Sequence, residues 1–326
     1  MNPPSATVDV APESAESGSA PGLPLIAGST LVLGSRKLER PLLELGPQEW
    51  ARELSELRAA GFEAIDLVDS WLSPALMSEH QLSELRAVLT SCDLALAGVS
   101  VIRCSVIDPA DGDRNLDFTL SSLEAAARLG ASIVSIGLHR PLLPAQKESQ
   151  FWMVPGPRDD RSDETWALAI ERIGRVAARA AELGLEVTLE LYEDTLLDST
   201  AGAVRIIEGV GAANLGINPD IGNLIRVPGT LAAGWVEILR GSLKYMNYWH
   251  VKNYIRLEHP QAGIVLSYPT ELAFGVIDYR EAVRIALTHG YAGPICIEHY
   301  EGDALGAIAS GRRYLQTILG ELQPGA

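Results

Sequence analysis

Residues 163–193 read DETWALAIERIGRVAARAAELGLEVTLELYE, and this stretch contains one helix followed by one strand. Apolar residues recur at helical spacing until Gly184, where a glycine is the usual C-terminal stop. The segment after the glycine is short, rich in Val and Leu, and ends near Glu190. Short aliphatic strands of this kind are typical of parallel sheets that are covered by helices on their faces.

The same unit recurs from Leu23 to the end of the chain. Helical patterns separate strand-like segments at residues 23–34, 62–69, 93–102, 131–139, 185–193, 215–223, 243–251 and 294–300. Eight such pairs in about 300 residues predict a single-domain (β/α)8 TIM barrel over residues 23–326. The alternative is an open doubly wound sheet, which no GxGxxG or P-loop turn supports.

Composition excludes several classes of function. The chain has 326 residues and 47% hydrophobic content, enough for a large core, and its net charge is −16. So acidic a surface, without a basic run, argues against binding to nucleic acid or to anionic membranes. Three cysteines without a CxxC pair indicate a reducing, cytoplasmic protein. Residues 1–22 lack Lys, Arg and an apolar core, which predicts a disordered tail and no signal peptide.

Four of the predicted strands end in residues that bind hard metal ions. These residues are Glu190, Asp220, His250 and Glu298. The carboxyl ends of barrel strands meet at one face, so the four side chains are expected to converge. Three carboxylates gathered there would repel one another unless a cation lay between them. Three oxygen ligands and one imidazole favour Mn²⁺, with Mg²⁺ or Co²⁺ as alternatives.

Further candidates lie beside this set. His139 follows the fourth strand and is a candidate base, as are Glu190 and Glu298 themselves. Lys252 follows His250 by two residues and would point the same way, where it could polarise a substrate oxygen. Two long segments, 140–162 and 254–276, follow strands and therefore lie on the same face as the ligands. The first is predicted to be a lid over a substrate.

At these residues the chain resembles the xylose-isomerase-like barrel family of sugar isomerases and epimerases. The resemblance rests on Glu190, on Asp220 in DIGN, on His250 in HVKN, on the GVIDY run at 275–279 and on Glu298 in GYAGPICIEH. It implies a metal-dependent enzyme that acts on a sugar. Asn223 and Asn253 depart from the family pattern of a histidine and an aspartate. Asn223 therefore stands where many family epimerases have a histidine that binds the substrate.

Within that family the chain is most similar to the catalytic subunit of bacterial C-glycoside deglycosidases, through LELYEDT, NYWHVKNY and the GLH at residues 137–139. That resemblance implies a carbon–carbon lyase that cleaves a 3-keto C-glycoside by β-elimination, with a small β-rich partner subunit. His139 would remove the C2 proton. Trp71, Trp152 and Trp249 would suit an aromatic aglycone of flavonoid size.

Other functions remain open at this point. A ketose 3-epimerase or aldose–ketose isomerase would use Glu190 and Glu298 to exchange protons on the two faces of a sugar. A barrel-type endonuclease needs more histidines than the six present and a cationic face. A non-catalytic subunit would not need the complete set of four ligands.

Overall fold

The computed structural model describes residues 23–33, 40–228 and 234–322. Its strands are β1 (Ile26–Ser29), β2 (Ala64–Val68), β3 (Ala95–Val101), β4 (Ile133–Ile136), β5 (Glu186–Glu190), β6 (Leu215–Asn218), β7 (Trp249–Val251), β8 (Asn253–His259), β9 (Ile264–Thr270) and β10 (Ile295–Ile297). The predicted tail, residues 1–22, lies outside the described residues.

The helices surround the sheet. They are α1 (Leu42–Leu45), α2 (Pro47–Ala59), α3 (Glu79–Ser91), α4 (Gly112–Leu129), α5 (Pro144–Lys147), α6 (Asp163–Glu182), α7 (Thr200–Val210), α8 (Ile221–Ile225), α9 (Trp235–Ser242), α10 (Tyr279–Thr288) and α11 (Ala304–Glu321). Ser78 begins α3 with a capping box, and Gly130 and Gly211 end α4 and α7 at positive φ. None of the described helices is long and apolar enough to cross a membrane.

Eight strands form one parallel sheet that curves into a nearly closed barrel. Its order is β6-β5-β4-β3-β2-β1-β10-β7. All neighbours in this order are joined by parallel ladders. At the remaining junction, between β6 and β7, the described residues show one backbone bridge, from Ile217 of β6 to Met246 just before β7. There the His250 amide also donates a hydrogen bond to the side-chain oxygen of Asn218 at 2.7 Å. The TIM-barrel prediction is confirmed.

The core lies between the barrel and its helices. On α2, Trp50, Leu54 and Leu57 recur at helical spacing and are fully buried. Along β7 the side chains alternate, so that His250 points to the barrel interior while its neighbours pack outward. This alternation places the candidate ligands inside the barrel, at the carboxyl ends of the strands.

The long segment after β7 is a β-hairpin. Strands β8 and β9 pair antiparallel, from Asn253 with Thr270 to His259 with Ile264. Asn253 stabilises the base of the hairpin, because the Asn253 side-chain amide donates hydrogen bonds to the carbonyl oxygens of Leu272 and Ile277. The asparagine that departs from the family pattern therefore holds this hairpin in place.

Candidate metal centre and its cavity

The structure brings the four predicted ligands together. Glu190 ends β5, Asp220 is the N-cap of α8, His250 lies in β7, and Glu298 follows β10. The ligand atoms of Glu190, Asp220 and His250 lie within 4.8 Å of one another. His250 Nδ1 is 3.4 Å from Glu298 Oε1 and 3.9 Å from Glu190 Oε1. All four side chains are buried.

The donor set fits a divalent cation. His250 Nδ1 is buried without a hydrogen-bond partner among the described residues, and the nearest carboxylate oxygens lie beyond hydrogen-bond length. Buried polar atoms in proteins normally have a partner, so this arrangement is that of a site built for another ligand. Carboxylate oxygens with one imidazole nitrogen are ligands that Mn²⁺ or Mg²⁺ accepts.

The cluster is strongly coupled electrostatically. Burial opposes protonation of His250, but the carboxylates of Glu298, Glu190 and Asp66 outweigh it and raise the pKa of His250 to about 10. Burial raises the pKa of Asp220 to about 7, although Lys252 acts against it. A cation that binds here therefore displaces the proton of His250 at neutral pH.

Lys252 is part of this cluster. Its Nζ lies 2.5 Å from Asp220 Oδ2, donates a hydrogen bond to Glu298 Oε2 at 2.6 Å and reaches the hydroxyl of Tyr300 at 3.4 Å. The two hydrogen bonds use two of the three N–H donors of the ammonium group, and the contact with Asp220 Oδ2 is an ion pair. The charge of Lys252 balances two of the carboxylates. That Lys252 also polarises a substrate oxygen stays a prediction.

Asn223 orients Glu190. Its amide nitrogen donates hydrogen bonds to Glu190 Oε1 at 2.9 Å and to the carbonyl oxygen of Leu191 at 3.0 Å. The side chain is fully buried, and both of its N–H groups are used within the protein. Asn223 Oδ1 is buried without a hydrogen-bond partner among the described residues, so the substrate contact of Asn223 stays a prediction beside this contact with a metal-ligand candidate.

His139 has one orientation and one tautomer. The main-chain N–H of Arg103 donates a hydrogen bond to His139 Nδ1 at 3.2 Å, so a neutral ring carries its proton on Nε2. His139 Nε2 is 3.5 Å from Glu190 Oε2. Gly137 makes room for the ring, since a Cβ there would lie 2.3 Å from His139 Nε2. In this tautomer His139 presents an Nε2–H donor toward the centre, and its predicted role as a base stays a prediction.

A cavity of about 410 Å³ opens beside the centre. Glu190, Glu298 and His139 contribute polar groups to its lining. The other lining residues are apolar side chains, a few polar side chains and two tyrosines: Leu31, Val68, Asp69, Ser70, Ile102, Arg103, Tyr192 and Tyr300. The cavity lining therefore combines charged groups of the candidate centre with apolar side chains.

None of the three predicted tryptophans is among the described residues that line this cavity. Trp71 Nε1 donates a hydrogen bond to Glu53 of α2 at 2.6 Å. Trp249 points outward from β7, next to inward-pointing His250, and packs against Tyr279 and Tyr291. The predicted contacts of these two residues with the substrate are wrong, because both indoles lie between the barrel and its helices.

Trp152 lies near Tyr300, a residue that lines the cavity. Its indole N–H donates a hydrogen bond to Ser267 of the hairpin at 2.7 Å, and its ring lies 6.1 Å from that of Tyr300. It also contacts Arg226, whose guanidinium pairs with Glu193 and lies 4.7 Å from the ring centre of Phe151. The structure therefore shows the 140–162 segment fastened to the hairpin, with its aromatic residues packed on Arg226. Trp152 also lines a second cavity together with His139 and Arg103, so its substrate contact stays a prediction.

Asp69 is a cavity residue that the sequence analysis missed. It follows β2 as Glu190 ends β5, so the same strand-end rule would have found it. Its Oδ1 accepts the N–H of Ile102 at 3.2 Å. Burial raises the pKa of Asp69 to about 7, against the opposing effect of the amides of Ile102 and Ser70. This carboxyl group therefore holds a proton near neutral pH.

The raised pKa of Asp69 predicts a pH-dependent stability. The folded protein binds this proton more tightly than the unfolded chain, so the stabilisation is full below about pH 4 and is lost as pH rises to about 7. The Asp69→Asn variant has no such group. We expect the difference in the free energy of unfolding, variant minus wild type, to increase by about 3 kcal/mol from pH 5 to pH 8. Urea unfolding at both pH values measures this, and an equal difference at each would contradict it.

The similarity of the chain to known proteins shows which protein family it belongs to. Residues 54–318 match the model of the xylose isomerase-like TIM barrel family, and the chain belongs to that family. No curated protein matches the sequence. A xylose isomerase-like TIM barrel protein from Mycobacterium smegmatis, solved in complex with magnesium, is 35% identical, with a TM-score of 0.85 over 92% of this chain and 97% of that chain.

More distant structures share the fold. A 3-keto-D-glucoside 4-epimerase from E. coli is 15% identical, with a TM-score of 0.62 over 90% of this chain and 98% of that chain. A D-allulose 3-epimerase from Methylomonas sp. is 14% identical, with a TM-score of 0.66 over 92% of this chain and 100% of that chain.

Proposed function

We propose that the protein is a metal-dependent enzyme that removes a proton next to the carbonyl group of an oxidised sugar. The observation that carries this proposal is the joint presence of Glu190, Glu298 and His139 in the lining of a cavity beside the candidate metal centre. A divalent cation there supplies Lewis-acid stabilisation of negative charge on a substrate oxygen. The solved magnesium complex of the 35% identical protein supports such a cation, and we propose Mn²⁺ for this chain.

The substrate that we propose is a 3-keto C-glycoside with an aromatic aglycone. The cavity has about 410 Å³, and Leu31, Val68 and Ile102 give its lining apolar surface that suits an aromatic group. A relative of the same fold is a 3-keto-D-glucoside 4-epimerase, and its substrate class is consistent with a keto sugar here. The sugar would lie toward Glu190 and the aglycone toward these three apolar residues.

The reaction is a β-elimination. One carboxylate of the Glu190–Glu298 pair takes the proton from C2, and His139 donates a hydrogen bond from Nε2 to a sugar oxygen. The electron pair of the C2–H bond forms the C1–C2 double bond while the bond from C1 to the aglycone breaks. The aglycone carbon then takes a proton, which Asp69, a residue of the same cavity lining, would donate. General acid–base help of this kind contributes about 10²–10⁴-fold.

A small β-rich partner subunit is part of the same proposal. Hairpin strands β8 and β9 carry a row of apolar side chains on one face, each about half exposed or more: Ile255, Leu257, Ile264, Leu266 and Tyr268. Exposed apolar rows on a two-stranded sheet are frequent sites of protein association. This row supports binding of the partner at the hairpin.

A second candidate is a ketose 3-epimerase. Glu190 and Glu298 both line the cavity, and a sugar between them would meet one carboxylate on each face. The D-allulose 3-epimerase of similar fold is consistent with this alternative. An epimerase would act on free ketoses without release of an aglycone.

A product assay separates the two candidates. Protein loaded with Mn²⁺ is given a 3-keto C-glucoside of a phenolic aglycone and, in parallel, a panel of free ketoses, with and without small proteins encoded beside it. We expect release of the free aglycone. Interconversion of ketoses without aglycone release would replace the lyase with the epimerase, and inactivity on both substrates would contradict the proposed substrate class.

A further inference from the structure

A carboxylate that is not among the four ligands lies against the back of His250. Asp66 lies in β2 and is fully buried. Its Oδ2 is 3.7 Å from His250 Nε2. Neither of these two atoms has a hydrogen-bond partner among the described residues, although both are buried. The two atoms face each other, and a small movement toward each other would bring them to hydrogen-bond distance.

The local structure is built to direct Asp66 at His250. The ladder between β2 and β3 shifts register between Ile65 and Asp66, and such irregularities change where a side chain points. Tyr248 holds the other carboxylate oxygen, since its hydroxyl donates a hydrogen bond to Asp66 Oδ1 at 3.0 Å. Gly98, opposite Asp66 in the register, provides the space: a Cβ there would lie 2.9 Å from the Tyr248 hydroxyl oxygen.

We infer that Asp66 is a positioning residue for the metal centre, which accepts the Nε2–H of His250 and thereby presents Nδ1 to the cation. His250 Nδ1 faces Glu298 and Glu190, while Nε2 faces Asp66. A metal-binding histidine needs its second nitrogen protonated and held by an acceptor, which fixes both the tautomer and the ring orientation. The inference concerns metal binding alone and does not depend on the reaction proposed above.

One other arrangement of the same residues makes a different prediction. The ligand atoms of Asp66, His250 and Cys296 also lie within 4.8 Å of one another, so a cation could bind between them. In that arrangement Cys296 would be a ligand, and His250 would bind through Nε2. In the arrangement that we infer, Cys296 is a packing residue of the barrel interior and contributes nothing to metal affinity.

Metal affinity in two variants distinguishes these arrangements. Asp66→Asn keeps the shape of the side chain and removes its charge, and Cys296→Ser is the matched control in the same cluster. Affinity for Mn²⁺ is measured on metal-stripped protein from the electron paramagnetic resonance signal of free Mn²⁺. We expect about 10- to 100-fold weaker binding in Asp66→Asn, unchanged binding in Cys296→Ser, and one Mn²⁺ per chain.

Thermal unfolding with and without Mn²⁺ excludes a merely structural effect. Each protein is compared with its own metal-free form, and the increase in melting temperature caused by Mn²⁺ should be smaller in Asp66→Asn than in wild type because the affinity is lower. Unchanged Mn²⁺ affinity in Asp66→Asn would overturn the inference. Equal losses of affinity in both variants would place the cation between Asp66 and Cys296 and would also overturn it.

A measurement on the wild-type chain covers the case in which Asp66→Asn does not fold. In protein labelled with ¹⁵N-histidine and loaded with diamagnetic Mg²⁺, the ring of His250 should carry its proton on Nε2, with Nδ1 unprotonated. A sample of His250→Asn assigns the signal. A proton on Nδ1 of His250 in the Mg²⁺-loaded protein would overturn the inference without any variant of Asp66.

Discussion

Replacing Glu190 with glutamine is expected to abolish tight metal binding and to lower kcat/KM by about 10³-fold or more. The substitution keeps the size of the side chain and leaves an oxygen to accept the hydrogen bond of Asn223. It removes one of the negative charges that favour a divalent cation at this centre. Lewis-acid stabilisation is worth several kcal/mol, and about 4 kcal/mol corresponds to a factor of about 10³ in rate.

The same strand offers a matched control for this experiment. Glu186 begins β5 at the opposite end of the barrel, so Glu186→Gln makes the same chemical change far from the ligands. Titration with Mn²⁺ and the product assay should show wild-type behaviour for Glu186→Gln and a loss of both properties for Glu190→Gln. A Glu190→Gln variant that binds Mn²⁺ as tightly as wild type would remove Glu190 from the ligand set.

Substitutions of His139 should separate a hydrogen-bond donor from a base. The Nε2–H of a neutral His139 can be imitated by the amide N–H of glutamine, which cannot accept a proton from carbon. We therefore expect His139→Ala to lose about 10²–10⁴-fold in kcat, and His139→Gln to recover a substantial part of that loss. Steady-state kinetics on the substrate found in the product assay measures both.

Two further results give the His139 experiment its control. Both variants should bind Mn²⁺ nearly as wild type does, because His139 is not one of the four ligands. If His139 is instead the base, glutamine and alanine will be equally inactive, since neither can take a proton at this position. Equal inactivity with intact Mn²⁺ binding would thus restore the role that the sequence predicted and contradict the role that the geometry favours.

The barrel and the convergence of the four ligands could be predicted because the signals are local and repeat. Helical spacing, a terminating glycine and an aliphatic strand define each unit without knowledge of the others. The ends of parallel strands must then meet at one face. For this reason Glu190 and Glu298 could be placed together although they are more than a hundred residues apart in sequence.

The neighbours of the ligands could not be predicted in the same way. Whether Trp71 lines the cavity depends on where its indole N–H finds an acceptor, and that acceptor is Glu53 on another element. Lys252 was placed on the correct side of the barrel, but its partners Asp220 and Glu298 are set by packing across the barrel. The tautomer of His139 depends on one backbone amide, that of Arg103, from another strand end.

Some information was present in the sequence and was not used. The alternation that points His250 inward also points Trp249 outward, which excludes a substrate contact for that tryptophan. Asp69 follows its strand as Glu190 ends its own. The hairpin after β7 was recognised only as a long segment, because its register depends on pairing between β8 and β9.

The weak junction between β6 and β7 has a consequence for the motions of the barrel. Among the described residues, one backbone bridge links β6 to Met246, just before β7, whereas ladders join the other neighbours of the sheet. Asp220 follows β6 and His250 lies in β7, so a cation held by both would span the junction. Local opening at this junction would require release of the cation. The free energy of opening would therefore rise with cation concentration. Amide hydrogen exchange along the two strands should therefore slow when metal is added. The cation would then keep the barrel closed in addition to its role in the reaction.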